Sequence, residues 1–328
     1  MKILVTGGGG FLGKAIVKRL LERGDRIRSF SRGHYPELRR LGVDVHRGDL
    51  ADKKAVITAV EGCDAVFHVA AKPGIWGTYR SYYKTNVTGT ENIIEGCRKT
   101  GASRLIYTSS PSVVFSGGDM EGVNESAPYP KTYPANYPMT KAMAERKVLS
   151  ANDTTLATVA LRPHLIWGPG DPNFLPRFIE RRKSGRLAKI GRQPHLVDCI
   201  YIDNAVDAHI LALDRLHPGS PVAGKTYFIS QGEPIDIGEL MDRILAAAGL
   251  DPIDRTVSEK PAYWAGGFLE LIYGTFRLKR EPPMTRFLAK QLSTAHWFDI
   301  SAAQKELGYR PAVSMEEGFK RLAKSLKN

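Results

Sequence analysis

Cysteine is scarce in this chain of 328 residues. Only Cys63, Cys97 and Cys199 occur, far apart and without a CxxC pair. That spacing signals neither a disulfide framework nor a zinc site, so no metal centre is expected and a reducing, cytoplasmic compartment is. Long apolar runs are also lacking. No stretch reaches the ~18 uninterrupted apolar residues of a membrane span. The longest, residues 262–276, carries Glu270 and three glycines, so contact with a membrane is expected to be peripheral at most. The opening MKILVT runs straight into four glycines, and no signal peptide is expected there. Acidic residues are outnumbered, 34 against 47 basic, for a net charge of +13. A basic balance can serve nucleic acid, a membrane surface or acidic ligands. No helix-turn-helix, zinc-finger or aromatic RNA-binding signature accompanies it, so a nucleic-acid partner is not expected. With 42% hydrophobic and 25% charged residues, wholesale disorder and collagen-like structure are excluded.

What is present is regular alternation. Short apolar runs at 3–6, 26–30, 43–46, 65–69 and 104–109 read as strands. Helical patterns at 11–23, 53–60 and 82–99 lie between them. Residues 156–161 and 225–229 read as a sixth and a seventh strand. Such alternation predicts an α/β fold, a doubly wound parallel Rossmann sheet covered by helices on both faces. A dinucleotide-binding domain is expected over 1–162, with 197–230 returning to it. A smaller substrate-binding region is expected over 163–196 and 231–328. Two basic stretches fall outside the alternation, 177–192 and 277–290, each with a single acid, Glu180 and Glu281.

The segment TGGGGFLG at 6–13 follows the first strand and opens the first helix. Gly7, Gly10 and Gly13 are spaced for a tight turn, a close approach to a pyrophosphate, and helix–strand packing. The helix N-terminus offers free N–H groups and the positive end of its dipole. In an NAD-binding fold an acid ~20 residues further on reads the adenosine ribose. Here the second strand ends Ser29-Phe30-Ser31-Arg32, with no acid. Arg32 can pair with a 2′-phosphate and Ser31 can donate to it, which favours NADP(H). Tyr137-Pro138-Met139-Thr140-Lys141 is the one YxxxK among 13 tyrosines. Four residues apart on a helix, the two side chains share a face. A neighbouring ammonium is expected to lower the phenol's ordinary pKa of ~10 into a useful range.

On these residues the chain resembles the extended short-chain dehydrogenase/reductase family. The likeness runs in order through TGGGGFLG at 6–13, GDL at 48–50, HVAA at 68–71, NVTGT at 86–90, YTSS at 107–110, YPMTK at 137–141 and LRPHLIWGPGD at 161–171. It implies a triad of Ser110, Tyr137 and Lys141: Ser110 polarising a carbonyl, Tyr137 passing the proton, Lys141 tuning Tyr137. Ser109 is the rival to Ser110, which is preferred for its spacing to Pro111-Ser112-Val113. The resemblance also implies that Asn86 anchors a proton-relay water. Phe11 and Leu12 would join the glycines in binding cofactor. Asp49 and Leu50 would contact adenine, Ala70 and Ala71 would line the cofactor, and Pro163 would flank the nicotinamide.

Three branches of that family compete: sugar-nucleotide epimerases, 3β-hydroxysteroid or sterol dehydrogenases, and reductases of 2-alkyl-3-oxoalkanoic acids in bacterial long-chain olefin biosynthesis. Stretches such as SFSRGHYPEL at 29–38, VDCIYIDNA at 197–205 and PPMTRFLAKQL at 282–292 resemble the last. That branch implies an acyl substrate, a homodimer through the helices at 82–99 and 137–150, and association with lactone-forming and decarboxylating enzymes. A non-catalytic NADP-binding scaffold is the reading from a different class; an intact triad argues against it. Trp76 is expected in the pocket wall and His164 near the substrate carboxylate. Residues 262–290, rich in large apolar side chains, are expected to form a mobile lid over an acyl pocket. Arg277, Lys279, Arg280, Arg286 and Lys290 are expected on its outer or rim face.

Overall fold

A computed structural model describes residues 1–172, 174–191, 194–278 and 280–327. Arg192 and Lys279 of the two basic stretches lie outside the described residues. Seven strands form the central sheet: β1 (Lys2–Thr6), β2 (Arg26–Ser31), β3 (Asp44–Arg47), β4 (Ala65–His68), β5 (Arg104–Thr108), β6 (Ala157–Pro163) and β7 (Lys225–Ile229). Their order is β7-β6-β5-β4-β1-β2-β3, and every neighbouring pair is parallel. The seven expected strands are all present. β1, β4 and β6 are almost wholly buried, as strands covered on both faces must be, and so they read as continuous apolar runs.

The helices that matter for the site are α1 (Phe11–Glu22), α2 (Lys53–Val60), α3 (Gly89–Thr100), α4 (Asn136–Ser150), α5 (Phe174–Lys183), α6 (Ile202–Arg215), α7 (Ile237–Ala247), α8 (Glu259–Thr275), α9 (Arg286–Ser293) and α10 (Met315–Lys327). α1 buries Leu12, Ile16, Val17 and Leu20, one stripe at helical spacing. α2 begins where the Asp52 side chain accepts from the Ala55 N–H at 3.1 Å, satisfying a donor the helix leaves free. α3 stops at Gly101, whose φ of 78° suits glycine best. The sequence pattern predicts one helix over 82–99. Instead an α-turn at Tyr79–Tyr82 passes into a wider π-turn at Tyr83–Thr88 before α3. The inserted turn rotates Asn86 inward, where it is buried, and such bulges concentrate at functional sites.

Beyond β6 the chain turns at Leu165, a non-glycine residue with φ of 37°. A second sheet assembles over the carboxyl edge of the first. Its strands, in order, are Ile235–Asp236, Leu196–Val197, His296–Phe298 and Met120–Val123. One hydrophobic cluster runs from Ile3 and Val5 through Trp167 and Val197 to Phe287 and Phe298. The strand order reverses between β1 and β4, and that reversal opens a crevice at their carboxyl ends.

Candidate active site

The glycine loop sits at the mouth of this crevice. Gly7 has φ of 69°, and a Cβ on Gly13 would stand 2.2 Å from the Gly7 oxygen. No side chain fits between loop and helix there. The face left bare at the start of α1 is a cradle for a diphosphate. Ala70 closes the loop's other side: its N–H donates to Thr6 Oγ1 at 3.1 Å. Thr6 is the first link of a buried polar chain. His68 Nδ1 lies 2.9 Å from Thr6 Oγ1, and His68 Nε2 lies 2.9 Å from Thr90 Oγ1. The Thr90 hydroxyl donates to the Asn86 carbonyl at 2.6 Å. This sequence assigns the proton to Nε2 and leaves Nδ1 as acceptor for Thr6. Burial holds the ring neutral, with a pKa pushed down to about 3.

At the ends of β2 and β3, Ser31 and Arg47 are register partners. Arg47 Nη2 donates to the Arg32 carbonyl at 3.4 Å, so two guanidinium-bearing residues meet where an acid would read a ribose. Ser31 Oγ is buried without a hydrogen-bond partner among the described residues. An orphaned hydroxyl and a glycine cradle along one crevice fit a dinucleotide. Asp49 accepts from the Ala51 N–H at 3.0 Å and pairs with Lys84 at 3.2 Å. The Ala51 N–H and then Lys84 hold its carboxyl below the usual range. Leu50 is buried beside it, its carbonyl accepting from Asn92 Nδ2 at 2.8 Å.

The triad comes together from two elements. Ser110 follows β5, and Tyr137 and Lys141 lie one turn apart on α4. Ser110 Oγ is 2.9 Å from Ser112 Oγ and accepts from the Ser112 N–H at 3.3 Å. Ser110 and Tyr137 share a cavity of about 250 Å³. Ser109, the rival, is buried with its hydroxyl unpartnered among the described residues and is absent from that cavity. The phenol behaves differently from expectation. Burial raises the Tyr137 pKa, while a hydrogen bond from Ser110 opposes the rise. The Lys141 ammonium is bonded to the β5 backbone rather than to the phenol. Its Nζ donates to the Thr108 carbonyl at 2.5 Å and sits 4.2 Å above the Tyr107 ring. Burial pulls the lysine down to about 7, with Glu145 resisting. Its charge is therefore poised near neutrality, a property of proton-handling groups.

Asn86 is pinned. Its Oδ1 accepts from the Lys72 N–H at 2.7 Å, and its Nδ2 donates to Thr140 Oγ1 at 3.1 Å and to the Lys72 carbonyl at 3.3 Å. Those side-chain atoms hold the loop after β4 against α4. Pro163 ends β6 and is buried.

The cavity is lined by Ile75, Pro111, Met120, Leu165 and Phe287 on its apolar side, with Ser112, His164, Gln291 and His296 as polar groups. His164 Nδ1 lies 2.6 Å from the Asp198 carbonyl, which assigns its proton to Nδ1 and its lone pair to Nε2. Burial lowers His164 to about 4 and His296 to about 3, so both rings are neutral at pH 7. A lone pair favours a hydroxyl or amide donor over a carboxylate. Trp76 stands next to the wall rather than in it: its indole donates to the Leu278 carbonyl at 3.1 Å, and its ring meets Tyr273 edge-on at 6.1 Å.

Several participants escape a reading of the sequence. Gln291, Phe287 and His296 come from the far end of the chain, and no catalytic spacing singles them out. Glu145 and Arg162, both buried, are likewise not singled out, although Arg162 lies within the stretch 161–171. Arg162 Nη2 donates to Glu145 Oε1 at 2.6 Å and its Nε to Oε2 at 3.0 Å, while the Tyr129 hydroxyl adds a bond of 2.6 Å to Oε1. The position of Glu145, one turn after Lys141, was the available signal. Residues 262–276, expected over an acyl pocket, line none of the cavity. Tyr263, Leu269, Ile272 and Tyr273 are half-buried, whereas Trp264, Phe268, Leu271 and Phe276 face outward.

Residues 4–258 match the model of the 3-beta hydroxysteroid dehydrogenase/isomerase family. The chain is 52% identical to a 2-alkyl-3-oxoalkanoate reductase from Stenotrophomonas maltophilia over 99% of both chains. It is 34% identical to the decarboxylating sterol-4-alpha-carboxylate 3-dehydrogenase of Mus musculus, over 99% of this chain and 90% of that protein. In fold it resembles the UDP-glucose 4-epimerase of Thermus thermophilus solved with NAD. The TM-score is 0.77 at 23% identity, covering 100% and 99% of the two chains.

Proposed function

Because this chain belongs to the 3-beta hydroxysteroid dehydrogenase/isomerase family, we propose that it is an NADPH-dependent oxidoreductase reducing a 2-alkyl-3-oxoalkanoic acid to the 2-alkyl-3-hydroxy acid. The observation that carries this reading is the wall of the cavity beside Ser110 and Tyr137. It has an apolar side and neutral polar groups, and no lysine or arginine among the described lining residues. A uridine diphosphate needs cations or many donors. A keto acid with alkyl arms needs a greasy wall and a few neutral donors. Relatives at 52% and 34% identity, named as a 2-alkyl-3-oxoalkanoate reductase and a sterol-carboxylate dehydrogenase, support the same substrate character.

Gly7, Gly10, Phe11, Leu12 and Gly13 would hold the cofactor's diphosphate, and Asp49, Leu50, Ala70 and Ala71 its adenine and flank. Ser31, Arg32 and Arg47 would take a 2′-phosphate. NADPH, when bound, supplies a hydride. The rest belongs to the protein. The Ser110 hydroxyl donates to the substrate's 3-oxo oxygen and orients it. The Tyr137 hydroxyl gives that oxygen its proton as negative charge develops there, the point where a positioned donor contributes most. The high phenol pKa keeps this proton in place until then. The Lys141 ammonium, below about pH 7, stabilises the phenolate left behind. Asn86 holds the loop after β4 against α4, and so in register with Lys141. The Gln291 amide and Ser112 are the donors suited to the carboxylate.

Cys63, Cys97 and Cys199 are free and buried, which accords with a cytoplasmic enzyme. A homodimer through the surfaces of α3 and α4, and association with lactone-forming and decarboxylating enzymes, complete the reading. The test is steady-state NADPH oxidation with a long 2-alkyl-3-oxo acid, a 3-ketosteroid and a UDP-sugar, using wild type and Tyr137→Phe. Turnover is expected with the first substrate, falling at least ~100-fold in the variant while cofactor binding persists. Preference for the UDP-sugar, or near-normal turnover without the phenol, defeats the proposal.

A further inference from the structure

The outer face of α8 has no partner. Trp264, Phe268 and Leu271 follow one another at helical spacing and are 73%, 65% and 67% exposed. Phe276, just past the helix, is 71% exposed, and Leu278 extends the patch. Singly exposed apolar side chains are ordinary; a contiguous aromatic stripe marks an interaction surface. The helix is held firmly from behind. A Cβ on Gly266 would stand 2.6 Å from the Thr285 backbone, so α8 lies close against the start of α9 and cannot turn its stripe inward without losing that fit.

The charges around the stripe are one-sided. Each acid of this region is engaged: Glu259 by Lys290 at 2.6 Å, Glu270 by Arg286 at 2.7 Å, and Glu281 by Arg177. Lys260, Arg277 and Arg280 are exposed and have no acidic partner among the described residues. Lys260 stands one turn before Trp264 on the same stripe; Arg277 adjoins Phe276. Tryptophan and phenylalanine flanked by unpaired cations match the chemistry of an anionic lipid surface, with rings at headgroup depth and cations at the phosphates.

We propose that the α8 stripe seats this protein peripherally on an anionic lipid surface. The same segment is tied to the cavity wall. Glu281 Oε1 accepts from the Ile75 N–H at 3.0 Å and Trp76 is anchored on Leu278, while Pro73, Gly74 and Ile75 line the cavity. Seating α8 therefore brings the cavity's entrance loop to the depth at which a long-chain acid partitions. This second step rests on the acyl reading above; the docking itself does not.

The experiment is co-flotation of the full chain with vesicles of phosphatidylcholine, alone or with roughly 30% phosphatidylglycerol. Wild type is expected to float with the anionic vesicles, at least ~10-fold better than with neutral ones, and to be released by salt. The paired substitution Trp264→Ser with Phe268→Ser is expected to lose at least ~10-fold in binding. Its circular dichroism and its turnover of a short, soluble keto acid are expected to stay unchanged. Trp264 emission is expected to shift to the blue on vesicle addition, and Trp264→Phe to remove that shift while still floating. Wild type remaining with the free protein, or equal flotation with neutral vesicles, overturns the proposal. So does a concentration-dependent dimer that the double variant abolishes, since the stripe would then be a protein–protein face. Reduction of the keto acid without flotation leaves the assigned reaction standing and removes only the docking; flotation without reduction does the reverse.

Discussion

Lys141→Met isolates the energetic consequence of placing an ammonium in this site. The lysine's pKa falls from an ordinary 10.5 to about 7 because its side chain is taken out of water. At about 1.4 kcal/mol per pH unit, ~5 kcal/mol is held against the charged form. Below pH ~7 the side chain is protonated in both folded and unfolded chains, and the fold bears the whole of that cost. As pH rises toward 10.5 the unfolded chain keeps a proton that the folded one has released, so wild-type stability climbs. Near pH 9 only ~2 kcal/mol remains. Methionine keeps the linear apolar stem and removes the charge. It also removes the bond to the Thr108 carbonyl, a loss of ~1–3 kcal/mol. Denaturant unfolding is therefore expected to find the variant more stable by ~2–4 kcal/mol near pH 6, and about equal to wild type near pH 9. Turnover is expected to be lost at both. The difference between the two pH values, ~3 kcal/mol, does not depend on what the Thr108 bond is worth. A stability difference that is the same at both would refute the reasoning, because the lysine would then be titrating as it does in water.

Other outcomes follow from the same geometry. Arg32→Ala is expected to weaken NADPH binding by ~10–100-fold, as loss of a charge-assisted bond does, and NADH binding far less; fluorescence titration with both cofactors decides it. Glu145→Gln leaves Arg162 buried without its ion partner, at ~3–5 kcal/mol in chemical denaturation. Glu145 also supports the Lys141 ammonium, so the alkaline fall of the reduction rate is expected to move to lower pH. Gly13→Ala places a methyl 2.2 Å from the Gly7 oxygen; cofactor binding is expected to disappear in calorimetric titration while the sheet's circular dichroism remains.

The sheet and the cofactor side of the site were legible in the sequence because they are written in local terms. A strand buried on both faces reads as an apolar run. A turn that must pass a diphosphate reads as glycines at fixed spacing, and a helix face shared by Tyr137 and Lys141 reads as YxxxK. Each is determined by neighbours along the chain, so the residues alone were enough to place all seven strands. The π-turn at 83–88 was not legible, since a helix and its one-residue bulge share nearly the same periodicity. Nor was the substrate side. Met120, His164, Phe287, Gln291 and His296 meet in one cavity from four separate segments, and no local pattern encodes a meeting of distant segments. Burial itself is a tertiary property. It alone decided that Lys141 titrates near neutrality, that His164 presents a lone pair, and that Glu145 and Arg162 form a buried pair. It also decided that the aromatic run at 262–276 turns Trp264, Phe268 and Phe276 outward: helical spacing gives a segment two faces, but only the packing of Gly266 against Thr285 selects which one meets the protein.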